Sequence, residues 1–460
     1  MRAFVAGIVL FVCIQALAQC PTPDFSVASS ACIDQKLSIE NLSSGATSYE
    51  WDFCSGDFQT NPVASPILTN SSLTQAWSIR LVNDQGNWYG FSISVTLNKL
   101  FRFDFGNSLN NAPSMIDLGN PSNLINGATD FQLVKEGTNW YALIPNTNIN
   151  RLLRLSFGSS LTTTPTAVDL GTLSSSLNSP NGIVIIQENG NTTAFIANGG
   201  VSQIVRADFG SSITNSPASQ VMNVPGGSGL RGLAFTKECD RWYGLVLSYS
   251  NAKVFYLDFN NGLAQPFQSG ELTFFSGYAF PATLSMNHEG GSYYTFIQSA
   301  LGSMYRLSHG TSIIDGTGSG IDLGNLGISN SNFAQTWAQD GTNWFGFSID
   351  RENGRLVRIT LPVTCNASTT YSTLSTPPLI NYSASGSKLV TLKAKNANGG
   401  VQTMNKTVTV SSSVSPDIDF TTQNVCANHD VFFMSQNVSG NIVSYNWDFD
   451  DSNSSSQPNP

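Results

Sequence analysis

Charge is what this 460-residue sequence has least of: Asp, Glu, Lys and Arg together make up 11% of it. Helical enzymes carry far more on their solvated faces, so that class is excluded first. The formal net charge of −9 argues against a nucleic-acid partner or an anionic membrane surface, since neither attracts an acidic chain. Beyond the N-terminus no apolar run approaches the roughly 18 residues of a membrane-spanning helix. Histidine is scarce, with three residues, and there is no Gly-x-Ser-x-Gly elbow, phosphate loop or Cys-x-x-Cys pair. A three-His metal site or a Ser-His-Asp arrangement cannot be assembled from what remains.

The abundant residues are Gly, Ser, Thr, Asn and aromatics, a mixture that suits short strands joined by polar turns. The first residues read as a secretory signal: Arg2 supplies the positive region, Val5 to Leu17 the apolar region, and Ala16-Leu17-Ala18 a small-x-small cleavage site. Residues 1–18 are therefore expected to be removed and the protein secreted or displayed at a cell surface. Gln19 before Cys20 fits a lipidation site poorly. Loss of Cys13 leaves Cys20, Cys32, Cys54, Cys239, Cys365 and Cys426, which in an exported chain point to disulfides.

A short stretch recurs along the middle of the chain. Gly137-Thr138-Asn139-Trp140-Tyr141 returns as Gly341-Thr342-Asn343-Trp344-Phe345. Aligning Trp88, Trp140, Thr193, Trp242, Tyr293 and Trp344 gives steps of 52, 53, 49, 51 and 51 residues. A second landmark keeps the period through Arg102, Arg154, Arg206, Tyr256, Arg306 and Arg358, and a third repeats as Asp117-Leu118-Gly119, Asp169-Leu170-Gly171 and Asp322-Leu323-Gly324. Four short strands per fifty residues is the unit of a propeller blade. Blade number and size resemble six-bladed propellers of the NHL/TolB-like kind. The apolar stretch Val63 to Leu68 is expected to supply the outer strand of the last blade and close the ring.

Flanking the repeats, Ser48-Tyr49-Glu50-Trp51-Asp52-Phe53 returns as Ser444-Tyr445-Asn446-Trp447-Asp448-Phe449-Asp450. Both copies resemble the PKD domain, an Ig-like β-sandwich of extracellular proteins, although neither keeps the Gly-Asp-Gly that follows its Trp-Asp-Phe. The first copy lacks its closing half, which is similar instead to Tyr382-Ser383-Ala384-Ser385-Gly386, Lys388 to Gly399 and Lys406 to Val410. The expected architecture is thus all-β: a six-bladed β-propeller (59–365) inserted into an Ig-like PKD β-sandwich (19–58 and 366–412). A truncated second PKD sandwich follows (416–460), as the start of further domains of a longer chain. Cys54 and Cys365 flank the insertion and are expected to pair; Cys20 with Cys32 is the next pairing, leaving Cys239 and Cys426 over.

Candidate functional residues are each set against a packing role. The repeated tryptophans offer sugar-stacking platforms, yet their uniform phase favours blade packing. The repeated arginines read as buried stems whose heads reach a carbonyl or Asp104 and Asp208. His309 sits at a Phe position, while His288 and His429 have no partners in register. Gln75, Asp130, Gln132 and Gln335 are the polar groups of the inner strands. Asp448, Asp450 and Asp451 gather carboxylate oxygens of the kind calcium takes, the one metal site weighed; no other cofactor is expected. The resulting expectation is a protein that is not an enzyme, a surface adhesin whose propeller recognises a glycan or protein ligand in loops where the repeats disagree. The alternatives are an accessory region of a large secreted hydrolase and a lactonase- or lyase-type enzyme in the propeller channel.

Overall fold

A computed structural model describes residues 20–460 apart from 261, 315–317, 330, 331, 342, 363, 364, 398, 399, 415, 416, 424, 425, 428, 440, 441 and 443; the expected signal, 1–18, lies outside the described residues. Six four-stranded antiparallel sheets follow one another along the chain. Their second strands are Asn87–Ser94, Asn139–Asn146, Asn191–Asn198, Arg241–Ser248, Ser292–Ser299 and Asn343–Asp350. Five sheets take all four strands in sequence order. The sixth joins Gln335–Asp340, Asn343–Asp350 and Arg355–Thr360 to Val63–Thr69, which pairs antiparallel with Arg355–Thr360. The first strands of the sheets touch in a closed cycle, the sixth returning to the first. This is a ring of the propeller kind.

Period-2 alternation explains why the sheets stack. Along Asn191–Asn198, Phe195 and Ala197 enter the core shared with the fourth sheet, while Ala194 and Ile196 enter the core shared with the second. A strand buried on both faces carries apolar residues at both phases. Six such cores separate the six sheets, the last packing Phe345 and Phe347 against Ile79 and Phe103. Burial of side chains of this size stabilises by about 1.5–3 kcal/mol each.

Polar hooks repeat between sheets. Nη1 of Arg102 donates to Leu161 O at 3.1 Å, that of Arg154 to Ile213 O at 2.9 Å, and that of Arg358 to Leu109 O at 3.2 Å. Each reaches a loop of the following sheet. A carboxylate at the end of the first strand latches in the same direction in three sheets: Glu136 accepts from Ile213 N at 2.9 Å, Glu238 from Ile313 N at 2.6 Å and Asp340 from Leu109 N at 2.8 Å. The fifth sheet makes the same two contacts to the linker instead. Arg306 donates to Thr60 O, and Glu289 accepts from the backbone N–H groups of Gly56 and Asp57. The linker 56–60 thus occupies the place of a sixth interblade loop, and its Phe58 is wholly buried against Tyr294, Phe296, Trp337 and Trp344.

Residues before and after the ring share one sheet, ordered Ser30–Ile33, Val401–Val414, Gly386–Lys395, Ser48–Ser55 and Tyr371–Ser372. Trp51, Phe53, Val390, Leu392 and Val408 fill its core with Phe25, Ile39 and Tyr382. Trp51 donates to Leu374 O at 2.9 Å, and the Tyr382 hydroxyl to Phe53 O at 2.9 Å, so these buried polar groups are satisfied across the two segments. Cys54 and Cys365 are disulfide-bonded. The Cys20–Cys32 pairing is corrected: Cys20 is bonded to Cys239, in the turn between the first two strands of the fourth sheet, and Cys32 and Cys426 are thiols. The sequence offered no spacing to reveal a pair brought together by how the segment before the ring docks on the fourth sheet.

Candidate functional site at the axial mouth

Four of the six first strands enter the ring through a register shift, between Ala76 and Ser78, Pro180 and Ile183, Leu230 and Leu233, and Pro281 and Thr283. Such bulges re-aim side chains at a sheet's rim. Here they bring Trp77, Asn181, Arg231 and Ala282 to the lining of a single cavity, joined by Thr129 and Phe333, which stand just ahead of the first strands of the second and sixth sheets. Since every sheet contributes, that cavity lies on the shared axis. The six residues occupy equivalent positions and are all different. Glycine permits the close approach behind them: a Cβ on Gly182 would stand 2.6 Å from the Arg231 carbonyl oxygen.

Trp77 and Phe333 stack, with centroids 4.2 Å apart and planes inclined by 9°. The Arg231 guanidinium, three sheets round from Trp77, lies 5.5 Å from the Trp77 ring and 5.3 Å from Phe333; that of Arg351 lies 4.9 and 5.2 Å from the same rings. Near-equal distances to two parallel rings place both cations beside the stack rather than over either face. Tyr249 flanks Arg231 at 4.3 Å, and Phe280, 45% exposed, packs 5.3 Å from Tyr249. Burial lowers the Arg231 pKa from its ordinary value, with Tyr249 opposing; burial likewise lowers that of Arg351.

Beneath the rim, Arg80 grips both oxygens of Asp130 at 2.6 and 2.7 Å. Asp130 also accepts from Phe131 N at 2.8 Å and Ile183 N at 3.3 Å, joining three consecutive sheets. Burial pushes its carboxyl above the usual range, against the pull of Arg80 and both N–H groups. Further along the axis a cavity of about 470 Å³ is lined by Arg80, Gln132, Val184, Ala234, Ser285 and Thr336, again one from each sheet.

The other sequence candidates fall elsewhere. The tryptophans pack between sheets: Trp88 donates to Asp340 at 3.1 Å and Trp242 to Glu188 at 2.9 Å. The third member of the series is Thr192 rather than Thr193, because Thr192 pairs with Gln187 as Trp140 pairs with Lys135. Arg102 and Arg206 also pair with Asp104 and Asp208. His309 is buried, 2.9 Å from the Thr295 hydroxyl. His288, pushed down to about 4 by burial and then Lys393, faces the five-stranded sheet through Thr403, and His429 is exposed. Gln75 accepts from the Thr96 hydroxyl at 3.0 Å and Gln335 donates to Phe296 O at 2.7 Å; of the inner-strand polar residues, Asp130 reaches the mouth and Gln132 the channel below it. Asp448 accepts from Asp450 N at 3.0 Å and Asp451 from Asn453 N at 2.9 Å, as in ordinary turns. Among the described residues Asp448, Asp450 and Asp451 do not form a converging three-ligand group. The rim was missed because single residues of unlike type carry no periodic signal.

The fold is thus all-β and of the propeller type, with a polar-aromatic mouth on its axis. No protein-family model and no curated protein matches the chain. Among solved structures it is similar to the Aleuria aurantia lectin in complex with alpha-methyl-L-fucoside, at 11% identity and TM-score 0.44, over 66% of this chain and 96% of that one. It is also similar to Trypanosoma rangeli sialidase in complex with sialic acid (10%, 0.44, 74% and 59%) and to the catalytic domain of Coprinopsis cinerea GH62 alpha-L-arabinofuranosidase (12%, 0.39, 66% and 97%). The chain spans less than two thirds of the sialidase's length. The expectation that the chain is not an enzyme is corrected here, since a sialidase and glycoside hydrolases stand among these neighbours. Among the described residues no helix is long and apolar enough to cross a membrane.

Proposed function

We propose that the chain is an exported glycan-binding protein. In this reading a six-bladed propeller (59–365) is inserted into a PKD-type sandwich (19–58 and 366–412), and a second such unit begins at 416. The shared five-stranded sheet and the Val63–Thr69 pairing support the insertion and the ring closure. The two disulfides fit an extracellular setting. The mouth carries the glycan reading: half-exposed Trp77 and Phe333 offer apolar surface to the C–H faces of a sugar, and Thr129, Asn181 and the guanidiniums offer groups for its hydroxyls. The full chain on a glycan array should bind a defined set of saccharides. Trp77→Ala and Phe333→Ala should each weaken that binding at least about fivefold, since an anchor ring is worth more than about 1 kcal/mol. Binding unchanged in both variants would remove the mouth from consideration.

A second reading is carbohydrate-active chemistry at the same mouth. Asp130 favours it, because burial holds this carboxyl at the cavity wall with a raised affinity for its proton. Release of reducing sugar from a bound glycan, lost in Asp130→Asn at a temperature where that variant is still folded, is the expected result. Undiminished release in Asp130→Asn would exclude Asp130 from the chemistry.

A further inference from the structure

The ligand's charge can be read from the arginine that spans the mouth. Elsewhere in the ring, guanidiniums end on protein oxygens: Arg80 on Asp130, Arg102 on Asp104 and Leu161 O, Arg154 on Ile213 O, and Arg241 on Asp258. Arg231 differs. Among the described residues it makes no ion pair, and Tyr249 is the titratable group that faces it. It is nevertheless half-buried and lies within 5.5 Å of rings on the first and sixth sheets. A guanidinium half withdrawn from water without a counter-ion favours an anion that completes it, and its planar fork suits a two-oxygen anionic group. Ser78, lining the same cavity, also has a hydroxyl with no hydrogen-bond partner among the described residues. Asp130 does not neutralise Arg231, because both of its oxygens are held by Arg80 and backbone N–H groups.

We infer that the mouth selects an acidic saccharide, with the sugar's anionic group on Arg231 and its apolar face against the Trp77–Phe333 stack. This rests on the glycan reading above. The acidic group comes from outside the protein, which explains how an acidic chain keeps an uncompensated cation on its axis.

The test uses the full chain and three oligosaccharides that differ only in the terminal residue: glucose, glucuronic acid and 6-sulfated glucose. Titration calorimetry at low salt should show one or both acidic forms bound about ten- to hundredfold more tightly than the neutral one, the range expected of a charge-assisted hydrogen-bonded pair. The stronger of the two identifies carboxylate or sulfate as the group recognised. Arg231→Met should abolish the preference, bringing the acidic forms down to the affinity that the same variant shows for the neutral one, and Arg231→Lys should restore part of it; melting midpoints report folding. Equal affinity for charged and neutral forms, or a preference that survives Arg231→Met, overturns the inference while glycan binding stands. Binding of neutral glycans alone on an array has the same meaning. Failure to bind any glycan overturns both readings.

Discussion

Replacing Phe58 by Ala tests whether the linker is part of the ring. The side chain is 0% exposed and meets four aromatic rings at centroid distances of 5.4, 5.1, 5.6 and 4.7 Å. Truncating a phenylalanine in such a site costs about 3–5 kcal/mol, the transfer of the lost ring plus the cavity that remains. The rigid sheets on both sides limit collapse, which favours the upper part of that range. With an unfolding entropy of about 2.1 cal/mol/K per residue over roughly 300 residues, a loss of about 4 kcal/mol lowers the ring's midpoint by about 6 °C. Differential scanning calorimetry of the full chain and Phe58→Ala, with Phe58→Leu as the smaller truncation, measures it. A midpoint shifted by less than about 1 °C would refute the argument: the linker would then merely cross the gap between the fifth and sixth sheets without holding it.

Three further outcomes follow from the same geometry. The Asp57 carboxyl is pushed up to about 7 by burial, then by Glu289 and Asp52. A folded value above the unfolded one means that the native state holds an extra proton, so this stability is present below about pH 4 and lost as pH rises through 7. Discounted for the part of Asp57 that meets solvent, the effect is about 1–2 kcal/mol, read as a flatter pH–stability curve in Asp57→Asn; equal slopes would sink it. Gly182→Ala should destabilise by about 1–3 kcal/mol in urea unfolding, because its Cβ meets the Arg231 carbonyl, and a neutral result would mean that the first strands have slack. The double variant Cys54→Ser/Cys365→Ser opens a loop spanning 311 residues and should lower stability by up to about 5 kcal/mol in the chain-entropy account. A melting curve identical to that of the intact protein would contradict it.

The Trp and Arg landmarks were legible because packing between like sheets repeats like chemistry at a fixed phase. Degenerate members were harder: with two threonines adjacent, only the pairing of Thr192 with Gln187 sets the register. The acidic latch was open to view and went unread. Asp84, Glu136, Glu188, Glu238, Glu289 and Asp340 end all six first strands, yet an acid before a turn is what any solvated hairpin shows. The mouth was the reverse case, since Trp77, Asn181, Arg231 and Ala282 share a position but no chemistry. Repetition reveals what holds such a ring together and hides what distinguishes one ring from another. The Cys20–Cys239 bond, finally, depends on docking between units, which neither unit's pattern encodes.

The closing strand Val63–Thr69 also fixes an order of events. Its partner Thr360 lies 297 residues further along, and Ser48–Ser55 likewise awaits Gly386–Lys395. A chain emerging N-terminus first therefore carries two unpaired, partly apolar strands throughout the synthesis of the ring. No N-terminal fragment that ends before Arg355 can complete its last sheet. Folding is gated by the final segments, and a nascent chain stalled within the fifth or sixth sheet exposes edges ready to pair with another copy of itself.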